Sequence, residues 1–298
     1  MSVATEQALA SLGSTSKTML VDEVSRKKWL FLAIAALMVL LYVPNFVKLW
    51  NDWGIDENYS HGYIVPLVFA WILYGRREQL ESTEVAPRWW GLGIVLLGLA
   101  QLVVGRLGAE NFTAHSSLLV VLSGVTIFLF GTGVFRLVAF PIAWLLLMIP
   151  IPAIIFYSLT FPLQMFASSM ASKGLDLIGI SNLREGNVIV LSNYSMGVVE
   201  ACSGIRSLIS LLAVSVLLGY FREMKSWARL LLMVSAVPIA LVVNSLRIAG
   251  TGIAGNYLGA KYAEGFFHTF SGWLLFLLAM LALFGVSGLL SRKSDAKA

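Results

Sequence analysis

The sequence predicts an all-α polytopic membrane protein of about eight transmembrane helices, with both termini in the cytoplasm. Three observations predict it. First, 58% of the 298 residues are hydrophobic, 12% are charged, and the mean hydropathy is +0.82, whereas a soluble domain carries roughly a quarter charged residues. Second, the apolar residues gather in windows at 29–49, 62–74, 90–104, 116–130, 135–149, 203–220, 230–248 and 270–290. Several fall short of the ~20 residues that cross a bilayer untilted, and flanking aromatic and small residues extend them. Third, with both ends inside, 14 of the 21 Lys and Arg lie on the cytoplasmic side, while the 16 acidic residues divide evenly between the two sides. Enrichment of Lys and Arg alone is what orients membrane helices.

Taken in order, residues 1–28 form a polar or mixed tail ending in Arg26-Lys27-Lys28. The tail is too long and too polar for a cleaved signal peptide, so the first apolar run reads as an uncleaved signal anchor with a cytoplasmic N-terminus. Residues 29–290 then form a single transmembrane domain, and 291–298 a cytoplasmic tail. Both ends are polar enough to be disordered. No internal repeat is visible. The stretch from 154 to 180 is apolar but holds Pro162 and carries Lys173 and Asp176. It reads as helices lying in or dipping into the outer interface, because a ninth span would invert every later loop. Next, 187–191 and 196–199 flank a polar turn at 192–195 and predict a small β-hairpin on the extracytoplasmic side, before the sixth span.

The net charge of +5 comes from short basic clusters between apolar runs, which is loop charge and not a nucleic-acid surface. The single cysteine excludes a disulfide within the chain. That cysteine stands where the polar segment after the hairpin runs into the sixth apolar window. A thiol becomes a nucleophile only when a neighbour lowers its pKa or takes its proton.

In this topology Cys202 opens the sixth span at the outer face, Arg247 closes the seventh there, and His268 precedes the eighth. A histidine can remove the thiol proton and return it to a leaving amine, and an arginine can hold an oxyanion. Each also has a plain structural role: a cysteine packs like a small hydrophobe, and a histidine bonds at the interface. Arg247 stands apart, because an arginine in an apolar span is costly unless it is partnered or snorkels. Asn244 shares a helix face with Arg247 and could orient it, or bond a neighbouring helix. Arg206 lies one turn after Cys202 and either lowers the thiol pKa or pairs with a lipid headgroup. Ser203, beside the thiol, joins the supporting set. His61 begins the second span as a pocket candidate; His115 begins the fourth and reads as interfacial. No His-Glu-x-x-His helix or carboxylate pairing accompanies these histidines, so neither a metal nor a cofactor is implied.

The motifs Ser60-His61-Gly62-Tyr63-Ile64-Val65-Pro66-Leu67, Ala201-Cys202-Ser203-Gly204-Ile205-Arg206, Asn244-Ser245-Leu246-Arg247-Ile248 and His268-Thr269-Phe270-Ser271-Gly272 occur in that order. Together they resemble the exosortase branch of the exosortase/archaeosortase family over roughly residues 29–290. The resemblance implies a membrane cysteine protease acting as a transpeptidase, with Cys202, Arg247 and His268 as its catalytic residues. Its substrates would be exported proteins whose C-terminus carries a Pro-Glu-Pro motif, a transmembrane helix and a basic tail. It further implies a bacterial inner-membrane protein with its site facing the periplasm, linked to exopolysaccharide and extracellular glycoprotein production, with water or an amine as acceptor. The rival readings are a polysaccharide-export transporter or scaffold, in which Cys202 merely packs, and a polytopic acyltransferase using His268.

Overall fold

In the computed structural model, residues 19–193, 195–198, 204–259 and 266–295 are described, the side chains of 266–269 and 292–295 excepted. The chain falls into two units, Met1–Pro152 and Ala153–Ala298.

The first unit opens with the short helix α1 (Leu20–Arg26), followed by α2 (Lys28–Ile55). The outward positions of α2 are apolar, with Leu37 66% and Leu40 69% exposed, a surface suited to hydrocarbon and not to water. A 3-10 segment (Glu57–Tyr63) leads into α3 (Val65–Gly75), and α4 (Arg77–Glu81) follows. Helices α5 (Trp90–Leu107) and α6 (Asn111–Phe130) form a tight antiparallel hairpin. Glycines seven apart, Gly91, Gly98 and Gly105, face α6 so closely that a β-carbon on any of them would lie within 3 Å of its atoms. Small residues allow such approach between membrane helices. Helix α7 (Thr132–Trp144) runs on as a 3-10 turn, Leu145–Met148.

The second unit begins with α8 (Ala153–Leu177). An antiparallel sheet follows, with β1 (Asn182–Glu185), β2 (Val188–Leu191) and β3 (Ser195–Gly197) in that order. Glu185 pairs with Val188 across the two-residue turn Gly186-Asn187, and Ile189 pairs with Met196. One sheet face, carrying Ile189, Leu191 and Met196, is buried in a core with Ala167, Ala171 and Leu175 of α8 and with Ile248 and Ala254. The last two belong to α10 (Ser226–Leu258), which follows α9 (Ile205–Phe221), and α11 (Phe266–Asp295) completes the unit. Helix α10 is its spine. Ala228, Leu232, Ala236, Ala240, Asn244, Ile248 and Gly252 recur every fourth residue and all are buried, a continuous row that winds slowly round the helix because its turn is ~3.6 residues.

Six described helices are long and apolar enough to cross a membrane: α2, α5, α6, α8, α10 and α11. Helices α7, with its 3-10 extension, and α9 are shorter and apolar. The expected span at 62–74 is only the 11-residue α3, which rises about 16 Å against a hydrocarbon core of ~30 Å. Where broken interfacial helices are expected at 154–180, a single 25-residue helix stands, with Pro162 inside it. One proline removes one backbone hydrogen bond, and helices in apolar surroundings tolerate it; α2, α7 and α10 each hold one too. The hairpin gains a third strand, β1.

Candidate active site

The second unit carries the candidate residues, apart from His61. The chain reaches them along β3: the Val198 N–H donates to the Asn187 carbonyl at 2.7 Å, and the Asn187 side-chain amide returns a bond to the Val198 carbonyl at 3.1 Å. These bonds extend the pairing past β3, and the Val198 side chain is 1% exposed in the core that contains Ile248. Cys202 and Ser203 lie outside the described residues. The chain is again described at Gly204, the N-cap of α9, with φ of +80°, a conformation that strongly favours glycine.

Gly204 rests on Asn244. A β-carbon added to it would lie 2.9 Å from Asn244 Cγ and 3.0 Å from both its Cβ and its Nδ2, so only glycine permits this approach. Asn244 is 4% exposed, the single strongly polar member of the four-residue stripe on α10. Burial of an amide is tolerated only with partners, and Asn244 has them.

Three residues on, Arg247 is half-buried and its guanidinium lies against α11. A β-carbon at Gly272 would stand 3.7 Å from both Cζ and Nε of Arg247, and 3.9 Å from its Nη1. Position 268 is in the first turn of α11, four residues before Gly272, on the same helix face; the side chain of His268 is outside the described residues. Arg206 is half-buried in the first turn of α9.

Arg247 does not end its helix. Helix α10 continues to Leu258, with Thr251, Gly252, Ala254 and Gly255 buried beyond it. At 33 residues it is about 50 Å long, so Arg247 sits within the helix, with about three turns to follow.

His61 belongs to the first unit and has an architectural partner there. Its Nε2 lies 2.9 Å from the Leu147 carbonyl; a carbonyl only accepts, so Nε2 carries the proton. Around it Trp53 donates to the Met148 carbonyl at 2.8 Å, Trp144 to the Val65 carbonyl at 3.1 Å, and the Ile151 N–H to the Tyr59 hydroxyl at 3.2 Å. The motif around His61 thus staples the 3-10 segment to residues 147–151. His115, expected at the interface, is 2% exposed inside the first unit. Its neighbourhood is polar: the Tyr42 hydroxyl lies 2.9 Å from that of Ser117, and Arg106 donates to Asn45 Oδ1 at 2.9 Å. Among the described residues no His, Cys, Asp and Glu cluster suits a metal ion.

Residue chemistry passes over Gly204 and Gly272, because glycine has no reactive group. Their signal is positional: each lies within four residues of a candidate, Gly204 after Cys202 and Gly272 after His268.

The fold defines a multi-pass helical membrane protein, with Gly204 at the start of α9, Asn244 and Arg247 within α10 and Gly272 in α11. A family model described as transmembrane exosortase matches residues 50–285, and the chain belongs to that family. No curated protein and no solved structure matches it.

Proposed function

We propose that the chain is a membrane-embedded cysteine protease and transpeptidase that cleaves a C-terminal sorting signal on exported proteins. In this reading His268 takes the Cys202 proton, and the thiolate attacks the scissile carbonyl. Arg247 holds the resulting oxyanion. The C–N bond then breaks, His268 gives its proton to the departing amine, and a thioester remains on Cys202. Water or an acceptor amine attacks the thioester and restores the thiol.

One observation carries the reading: the seat of Gly204 on Asn244 and the seat of Arg247 against Gly272 draw the ends of α9 and α11 to the same stretch of α10. Two peptide units separate Cys202 from Gly204, a reach of no more than ~7 Å. His268 precedes Gly272 by one turn. Loop charge supports an outward-facing site. Arg222, Lys225 and Arg229 lie between or beside the facing ends of α9 and α10, and Arg292, Lys293 and Lys297 end the chain. The α10–α11 connection carries Lys261 as its one basic residue, a contrast that supports, by the positive-inside rule, a reading in which that connection and the start of α9 face the periplasm.

A substrate with a Pro-Glu-Pro motif, a transmembrane helix and a basic tail suits this arrangement. Its tail would stay in the cytoplasm by the same charge rule while its motif meets Cys202. The test is to trap the intermediate: purified enzyme mixed with a substrate bearing that signal is quenched in acid and weighed. The expected mass gain on the native chain disappears with neutral hydroxylamine and is absent from Cys202→Ala. A gain that survives in Cys202→Ala contradicts the reading.

A further inference from the structure

The first unit holds a cavity that the proposed reaction does not use. It measures about 220 Å³ and is lined by Glu23, Lys27, Leu30, Phe31, Pro87, Trp89, Phe128 and Leu129. Two backbone ties form its rim. Leu20 N–H donates to the Thr83 carbonyl, which holds α1 to the segment before α5. Ala86 and Arg88 N–H groups donate to the carbonyls of Phe130 and Ile127, which lay that segment along the end of α6. The aromatic walls pack on this frame, with Phe31 5.1 Å from Phe130 and Trp89 5.6 Å from Phe128 between ring centroids.

The cavity is apolar along its walls and charged at one end. Glu23 is its one acid, and both Arg26 and Lys27 pair with it, at 2.5 and 2.6 Å. Lys28 and Arg88 are exposed and flank the lining residues Lys27, Pro87 and Trp89 in sequence, as Asp22 flanks Glu23, so four cations stand against two acids and the balance of charge at this end is positive. Trp29, Trp89 and Trp90 are 75%, 81% and 54% exposed, and the Lys28 amine lies 5.5 Å from the Trp29 ring centroid. Exposed tryptophans beside Lys and Arg mark the headgroup level of a membrane. The volume is below the ~300–1,000 Å³ of sites that enclose a whole small ligand, and suits part of an acyl chain whose headgroup stays outside.

We propose that this cavity binds an anionic phospholipid, with one acyl chain along Leu30, Phe31, Phe128 and Leu129 and the phosphate over Lys27, Lys28 and Arg88. Basic pockets between membrane helices take such headgroups, with each cation near the surface contributing measurably.

The experiment is native mass spectrometry of the full chain from micelles doped with equal phosphatidylglycerol and phosphatidylethanolamine. The native chain should retain phosphatidylglycerol roughly tenfold over phosphatidylethanolamine, and added salt should weaken the preference. Lys28→Gln with Arg88→Gln should bring the ratio close to one, and Leu129→Trp, which fills the cavity, should lower the retention of both lipids. Thermal melting of each variant in detergent establishes that it is folded, and Leu30→Trp, which fills the same cavity from another wall, serves should Leu129→Trp melt early. Equal retention of the two lipids by the native chain overturns the proposal. So does unchanged phosphatidylglycerol binding in a folded cavity variant, or a lipid-independent dimer that Leu129→Trp dissolves.

Discussion

Gly204 and Asn244 are in direct contact: the α-carbon that caps α9 leaves no room for a side chain above the Asn244 amide, whose Cγ is 2.9 Å from where a β-carbon would stand. Gly204→Ala therefore meets two penalties, a left-handed backbone at φ +80°, worth about 1–2 kcal/mol, and overlap with Asn244. The variant should melt earlier in detergent and lose substrate processing. Adding Asn244→Ala removes Cγ and Nδ2 from the overlap, so the double variant should lose less stability than the sum of the two singles. Strict additivity would show that the contact does not hold the loop.

The contact of Arg247 with Gly272 is looser, at 3.7 Å from a built β-carbon, which is ordinary van der Waals distance. Gly272→Ala should thus retain most processing, while Gly272→Leu should displace the guanidinium and reduce processing toward the level of Arg247→Ala. Loss of a group that holds an oxyanion typically lowers turnover by about 10²–10³. Arg247→Lys keeps the charge but not the planar fork and should remain well below native. These rates are measured on a tagged substrate in cells with immunoblotted enzyme levels.

A convergence of positions 202 and 268 is testable through the single cysteine. The variant His268→Cys contains two thiols, and a short bifunctional thiol reagent should link them into one looped chain with a shifted gel mobility after proteolysis. The same substitution at His115, which belongs to the other unit, is the comparison. No link in His268→Cys would separate the two positions.

Glu110 caps α6, accepting from the N–H groups of Phe112 at 3.1 Å and Thr113 at 2.6 Å. Burial raises its pKa, but the hydrogen bonds from Thr113 and Phe112 outweigh that and hold the carboxyl below the usual glutamate range. A lowered pKa means that the carboxylate's contribution is complete above the ordinary glutamate value and is lost as pH falls through the lowered one. Native protein should melt progressively earlier in that acid window, and Glu110→Gln should flatten the trend. Glu110→Ala should be less stable by about 1 kcal/mol at neutral pH.

Much of the fold is legible in the sequence because long apolar runs leave little choice of structure: α2, α5, α6 and α11 coincide with windows of hydropathy. What escapes is periodic. The α10 window closes near Arg247 because Ser245, Thr251, Gly252 and Gly255 lower the average, yet all four are buried and continue the packed face. Averages do not register a face. Likewise α8 conceals its continuity behind Pro162 and Lys173, and β1 lacks the apolar alternation that signals a strand, having Leu183 alone between Asn182, Arg184 and Glu185. His115 is polar and near a helix start, which reads as interfacial, but three-dimensional packing against α2 buries it. The candidate site is legible as chemistry in the motifs, while the glycine contacts that position Asn244 and Arg247 depend on interhelical distances.

The most direct measurement replaces Cys202 with Ser and with Ala in cells producing a tagged protein that ends in the tripartite signal. Uncleaved substrate should accumulate in both variants at normal enzyme abundance, since neither side chain supplies the thiolate. Processing at the native rate in Cys202→Ala would remove the thiol from the reaction and contradict the account.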